Sequence, residues 1–229
     1  MAKKEIVETD ECLEFRAELN AAELREYRHA RAQLAQDGQL SYPLAEKVES
    51  GLFALRICKG GNARFFYCYD DGAAIWILNG YEKKTRTIPL RELNRARQLK
   101  KEIRTMTARE KKALRERLAR RTKAEMSALE RDPEFRREHA VWEKEYRAAA
   151  VLHAARQKAG LTQVDLAARM NTRRSNVSRM ENGQNVTFAT FTRYLLGCGY
   201  DFRITVFPAR TGAARPSAAI ANDRVLAPA

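Results

Sequence analysis

Two short stretches hold residue types that could do chemistry. GYEKKTRTIP, residues 80–89, gathers Lys83, Lys84, Thr85 and Arg86 directly behind the apolar run AAIWILN. Cations at the mouth of a buried strand can hold a phosphate and stabilise charge developing on its oxygens. The second stretch is AGLTQVDLAARMNTRRSNVSRMENG, residues 159–183. It places Arg173, Arg174, Ser175, Asn176, Ser178 and Arg179 on the outward side of a short helix whose inner side is Val177 and Met180. Arginine pairs bidentately with guanine and asparagine with adenine, while serine reaches a base or a phosphate, so this side suits a DNA major groove. Gln163, at the start of the preceding helix, is expected to meet a phosphate beside the backbone amides there.

The elements that must position these residues can be read from local signals. Gly160 ends one helix, Thr162 caps the next with Asp165 at its third position, Asn171 supplies a turn and Thr172 caps a second short helix. Two such helices across a tight turn make a helix-turn-helix. Thr187 opens a further helix, TFATFTRYLLGCG, and DFRITVF (201–207) alternates as a strand would. Earlier in the chain, LFALRICKG, ARFFYCYDDG and AAIWILNGY are three apolar runs broken at Gly60-Gly61-Asn62 and Asp70-Asp71-Gly72. They predict three antiparallel strands joined by tight turns. Strand alternation puts Arg56 on the face of Ala54 and Cys58, opposite Leu55 and Ile57. Before these strands, CLEFRAEL and AAELREYRHARAQLAQDG read as one or two helices stopped by Gly38. After them, LRELNRARQLKKEIR, a Thr-x-x-Glu capping box at 107–110 and the pair Asp132-Pro133 predict a run of helices to Gly160.

Charge says what kind of partner to expect. The chain of 229 residues carries a formal +14, which favours a polyanion. Residues 1–105 hold 19 Lys+Arg against 16 Asp+Glu, and residues 106–229 hold 24 against 13, so most of the excess lies in the second half. No apolar run approaches the ~18 residues of a membrane span and the N-terminus lacks a signal-peptide core. The expectation is a cytoplasmic, bacterial protein with nucleic acid rather than membrane as its partner. Cys12, Cys58, Cys68 and Cys198 show no metal-ligand spacing, and His29, His139 and His153 cluster with none of them, so neither metal nor cofactor is expected.

LTQ-x-x-LA, Ser-x-x-Ser-Arg and the following Glu-Asn-Gly resemble the Xre, or Cro/lambda-repressor, type of helix-turn-helix over residues 145–207. The segment from Gly51 to Gln98, with its Leu-Phe-x-Leu-Arg-Ile strand and Gly-Tyr-x-Lys-Lys-Thr turn, resembles the HigB-like branch of the RelE/ParE toxin superfamily. The second half then resembles a HigA-like antitoxin. RNases of that superfamily cut messenger RNA in the ribosomal A site with the RNA's own 2′-hydroxyl as nucleophile. The resemblance implies catalytic roles for Arg56, Arg64, Lys83 and Lys84, and secondary RNA contacts from Tyr67, Tyr81, Thr85 and Arg86. No histidine lies among the strand motifs, which leaves the reaction to lysine or to electrostatic stabilisation.

The expected fold class is α+β. A RelE-like domain of helices on a small antiparallel sheet (1–105) is followed by a helical linker or antitoxin N-terminal region (106–144), an all-α helix-turn-helix domain with a C-terminal strand (145–207) and a disordered tail (208–229). The expected function is a single-chain toxin–antitoxin fusion: a ribosome-dependent endoribonuclease held inactive by a homodimeric antitoxin half that binds operator DNA and represses its own transcription. The alternative is a transcriptional regulator whose decayed toxin-like domain serves oligomerisation. Met106 stands where the two halves meet and is a possible internal start.

Overall fold

Helix signals and strand signals segregate along the chain as the α+β reading requires. The computed structural model describes residues 3–70, 74–85 and 87–204. In chain order the elements are β1 (Glu5–Glu8), α1 (Asp10–Ala17), α2 (Ala21–Asp37), β2 (Ala45–Glu49), β3 (Leu52–Arg56), β4 (Ala63–Tyr69), β5 (Ala74–Glu82), α3 (Leu90–Thr105), α4 (Ala108–Arg131), α5 (Pro133–Lys158), α6 (Gln163–Arg169), α7 (Arg174–Glu181) and α8 (Phe188–Gly197). They fall into two units. The first contains residues 1–150 with Asn182–Gln184, and the second Val151–Glu181 with the residues from Asn185 onward.

The helix boundaries follow from caps. Gly38 takes φ 71° at the end of α2, where a left-handed residue is needed and a Cβ would be strained. Capping boxes open α4 (Thr107 with Glu110) and α6 (Thr162 with Asp165), each satisfying amide donors that the first turn leaves free. Asn171 supplies the turn between α6 and α7 at φ 47°. Two details differ from the local reading. Arg173 lies just ahead of α7, and the Thr172 hydroxyl accepts from the Asn176 side chain at 2.9 Å.

The sheet has five strands in the order β1-β5-β4-β3-β2. The three predicted strands are its antiparallel centre, β3-β4-β5. The two additional strands escaped the sequence reading because each is short and gains its hydrogen bonds from a distant partner. β1 lies parallel to β5 with Glu5 opposite Ala74, and β2 lies antiparallel to β3 with Ala45 opposite Leu55. Parallel pairing needs a long crossover, here α1 through β4, which no local pattern announces. Residues 201–204 form no strand; the rest of the expected strand 201–207 and the tail 208–229 lie outside the described residues.

Two apolar layers sandwich this sheet. On one face Ile6, Leu55, Phe65, Tyr67 and Ile77 pack with Tyr27 and Leu34 of α2 and with Trp142 and Tyr146 of α5. On the other, Val7, Ala54, Phe66, Trp76 and Tyr81 pack with Ala96 and Ile103 of α3 and Leu118 of α4. Residues of the segment expected to be a linker therefore contribute to both cores of the first unit. The second unit has its own core of Leu152, Leu166, Val177, Met180, Tyr194 and Leu195.

Candidate functional site

Strand register assembles the cationic row of the first unit. Arg56 on β3 stands opposite Arg64 on β4, and Arg64 stands opposite Tyr81 on β5. A β-bulge between Phe65 and Tyr67 shifts the pairing of β4 with β5, so that Leu78 and Tyr81, three residues apart, both face the α3 side. Residues on that face thus include an arginine, an arginine and a phenol in neighbouring strands.

Each has a distinct environment. The Arg56 guanidinium lies 4.7 Å from the centre of the Tyr42 ring and donates from Nη1 to the Pro43 carbonyl at 2.8 Å. Its Nη2 is 3.4 Å from the Asn182 Oδ1, within the short segment that groups with the first unit. Arg64 is only 3% exposed, and its Nη1 donates to the carbonyls of Ala63 and Ile57 at 2.8 and 3.2 Å. The Tyr81 hydroxyl is buried with no hydrogen-bond partner among the described residues, and burial pushes its pKa up to about 12. It is therefore a neutral O–H donor at pH 7. Glu46 of β2, whose position opposite Ala54 puts it on the same face, acts electrostatically on both Arg56 and Tyr81. Sequence reasoning missed Glu46 because AEKVE carries too little apolar alternation to be recognised as a strand.

The remaining candidates are dispersed. Lys83 is half-buried, and its backbone is tied to Asn62 by two hydrogen bonds of 3.0 and 2.8 Å, so it borders the row at the β3–β4 hairpin. Lys84 is exposed and paired with Glu82 at 3.0 Å. The Thr85 hydroxyl is spent on the Thr87 carbonyl. Arg86 lies outside the described residues. Tyr67 is fully buried on the opposite face, against Phe53 and Tyr69, so it has no surface with which to stack on a base. Among the described residues no group of three or more His, Cys, Asp or Glu side chains could hold a metal ion.

α4 and α5 are fastened to this unit by both charge and packing. Lys111 pairs with Asp70 at 2.9 Å, Arg115 with Glu5, Arg117 and Arg121 with Asp10, and Glu125 with Arg16 and Arg28 at 2.9 and 2.8 Å. On α5, Glu145 pairs with Lys59 at 2.6 Å, and the Tyr146 hydroxyl is 3.1 Å from the Ser41 amide and from its Oγ. Exposed pairs are worth about 0–1 kcal/mol each, whereas burying an aromatic side chain contributes roughly 1.5–3 kcal/mol. Trp142 and Tyr146 thus hold α5 more firmly than its charges do. Tyr146 also anchors Ser41, next to the Tyr42-Pro43 pair that holds Arg56.

In the second unit, Arg173, Arg174, Ser175, Asn176 and Arg179 are exposed, Ser178 is half-buried, and Val177 and Met180 face inward. Gln163 does not point freely outward: its Nε2 donates to Glu181 at 2.9 Å. Glu181, fully buried at the end of α7, also accepts from Arg156 of α5 and from the Tyr194 hydroxyl of α8. Burial alone would raise its pKa, but the hydrogen bonds from Arg156, Tyr194 and Gln163 outweigh that and hold it below the ordinary carboxylate value. The Glu of Glu-Asn-Gly is thus the polar hub on which three helices converge, a role that its sequence neighbours do not signal.

A five-stranded, mainly antiparallel sheet layered with helices, followed by an independent core of short helices around a turn, defines a two-part protein, a small α+β domain with a helix-turn-helix domain. Residues 14–101 match the family model described as phage-derived protein Gp49-like, and residues 152–204 match the model described as helix-turn-helix. The chain thus joins a toxin-like Gp49-like domain to a DNA-binding type of domain. A search among curated proteins finds no match. No described helix is long and apolar enough to cross a membrane.

Proposed function

We propose that the chain is a self-neutralised toxin–antitoxin fusion of HigB–HigA type, an endoribonuclease and its operator-binding inhibitor in one polypeptide. The observation that carries this reading is the packing of α4 and α5, which follow the Gp49-like match, into both apolar layers of the toxin-like domain. Tethering makes such neutralisation intramolecular, with effective concentrations up to about millimolar. In the reaction, the 2′-hydroxyl of a ribose attacks the neighbouring phosphorus and the bond to the 5′-oxygen breaks, leaving a 2′,3′-cyclic phosphate and a 5′-hydroxyl whose proton comes from water. Arg56 and Arg64 stabilise the charge on the phosphate oxygens, with Lys83 at the border, and the Tyr81 hydroxyl donates a hydrogen bond. Glu46 is the carboxylate on that face suited to take the 2′-proton. The ribosome and its messenger RNA are the partners of this half.

The second half reads operator DNA as a homodimer through Arg173, Arg174, Ser175, Asn176, Ser178 and Arg179, and represses its own promoter. Gln163 acts there by orienting Glu181 as much as by touching phosphate.

The engagement of Arg64 with main-chain carbonyls favours a second reading, a regulator whose toxin-like domain has lost activity. Cleavage of translated RNA by residues 1–105 distinguishes the two. Glu46→Gln should slow cleavage by about 10²–10⁴-fold, the usual contribution of a general base. Absence of cleavage by a folded fragment supports the regulator.

A further inference from the structure

The three histidines are distributed in a way the proposed chemistry does not use. His29 on α2 is 3% exposed, and its Nδ1 lies 3.2 Å from the Nδ1 of His139 on α5, across 110 residues of sequence. At that distance one ring donates and the other accepts, so the contact needs at least one neutral Nδ1. The pair sits in a ladder of rings. Phe135, His139, Trp142 and Tyr146 follow one another along α5, and His29 stacks on the first three at centroid distances of 4.7, 5.3 and 5.6 Å.

We propose that His29 and His139 form an acid-sensitive clasp, whose double protonation unfastens α5 from the toxin-like domain. Two protonated rings cannot share the hydrogen bond, and their charges would face each other inside an apolar stack. Charged groups facing the pair add to this or are already engaged: Glu143, one turn beyond His139 on α5, pairs with Arg147 at 2.9 Å. Arg25 of α2 and Lys59 of the β3–β4 hairpin act on His29 with the same sign. Glu138 of α5 is 3.8 Å from the His29 Nε2 but also pairs with Arg25 at 3.6 Å, and Glu145 is committed to Lys59. Glu26 on α2 is buried, and burial raises its pKa to about 7, so acid removes rather than adds negative charge there. On α4, Glu125 is held by Arg16 and Arg28, and Met126 and Leu129 pack apolar surface against Phe135.

The sign follows directly. Burial first, then the neighbouring His139, Arg25 and Lys59, lower the His29 pKa from 6.5 to about 4. His29, on α2, therefore binds the proton more readily when α5 is detached, and docking weakens by up to about tenfold per pH unit between 6.5 and 4. With α4 and α5 as the neutralising helices, which rests on the function proposed above, the clasp makes neutralisation weaker in acid.

Hydrogen exchange of the full-length chain, corrected for the intrinsic pH dependence of exchange, tests this between pH 7.5 and 5. Protection of residues 135–146 should fall by at least tenfold while protection of β4 and β5 persists. His29→Gln/His139→Gln should abolish the fall, and His139→Gln alone should reduce it. An unchanged acid response in the double variant, or pH-independent protection in the unaltered chain, overturns the clasp. Because the readout is exchange and not growth, it stands or falls separately from the nuclease reading.

Discussion

At the scale of single residues, the second unit combines an exposed cationic side on α7 with a buried carboxylate, Glu181, at the end of that helix. Arg174→Ala should cost about 1–3 kcal/mol of discrimination at one base position while leaving the fold intact, as a bidentate base contact does. Binding selections against randomised operators check this, and an unchanged preferred sequence would remove Arg174 from the reading side. Glu181→Gln leaves Arg156 buried without its counter-charge, and should destabilise the second unit by about 3 kcal/mol in urea unfolding. Its pH dependence has a defined sign. The folded pKa lies below the ordinary 4.5, so the contribution is complete above that value and is lost as the pH falls through the lowered one. The Gln variant should lack this acid loss. Neither Glu181 nor the His29–His139 pair was legible in the sequence, because each acquires its partners from other helices, 13 or more residues away. The helix start at Gln163 was legible because capping is local, but the contact of Gln163 with Glu181 and the place of Arg173 just ahead of α7 were not.

At the scale of elements, what the sequence disclosed tracks how local each signal is. The boxes at Thr107 and Thr162 and the stop at Gly38 involve residues at most four apart, and those boundaries were foreseen. β1 and β2 were not, since their pairing energy comes from β5 and β3 rather than from their own alternation. The largest reinterpretation concerns α4 and α5. As free helices their charged faces look like a linker, but Leu118, Trp142 and Tyr146 make them part of the two cores. Trp142→Ala removes a side chain that is 7% exposed, and should lower stability by about 3–5 kcal/mol. If α5 neutralises the first domain, the same variant should slow growth when expressed, an effect relieved by supplying residues 106–229 in trans. Normal growth despite the measured loss of stability would separate α5 from neutralisation.

At the scale of the whole molecule, the charge excess lies in the half that holds the helix-turn-helix match, while the Gp49-like match lies in the nearly balanced first half. Operator binding should weaken steeply with salt, because contacts from lysine and arginine to phosphate release counterions. The central claim is that the first half is a nuclease restrained by the second. Its most direct test is inducible expression of residues 1–105, alone and with residues 106–229 supplied in trans, with growth and messenger-RNA cleavage followed together. The account predicts arrest with cleavage by the fragment, loss of both in Arg56→Ala/Arg64→Ala, and rescue by the second half. A fragment shown to be folded that neither arrests growth nor cleaves RNA would contradict it.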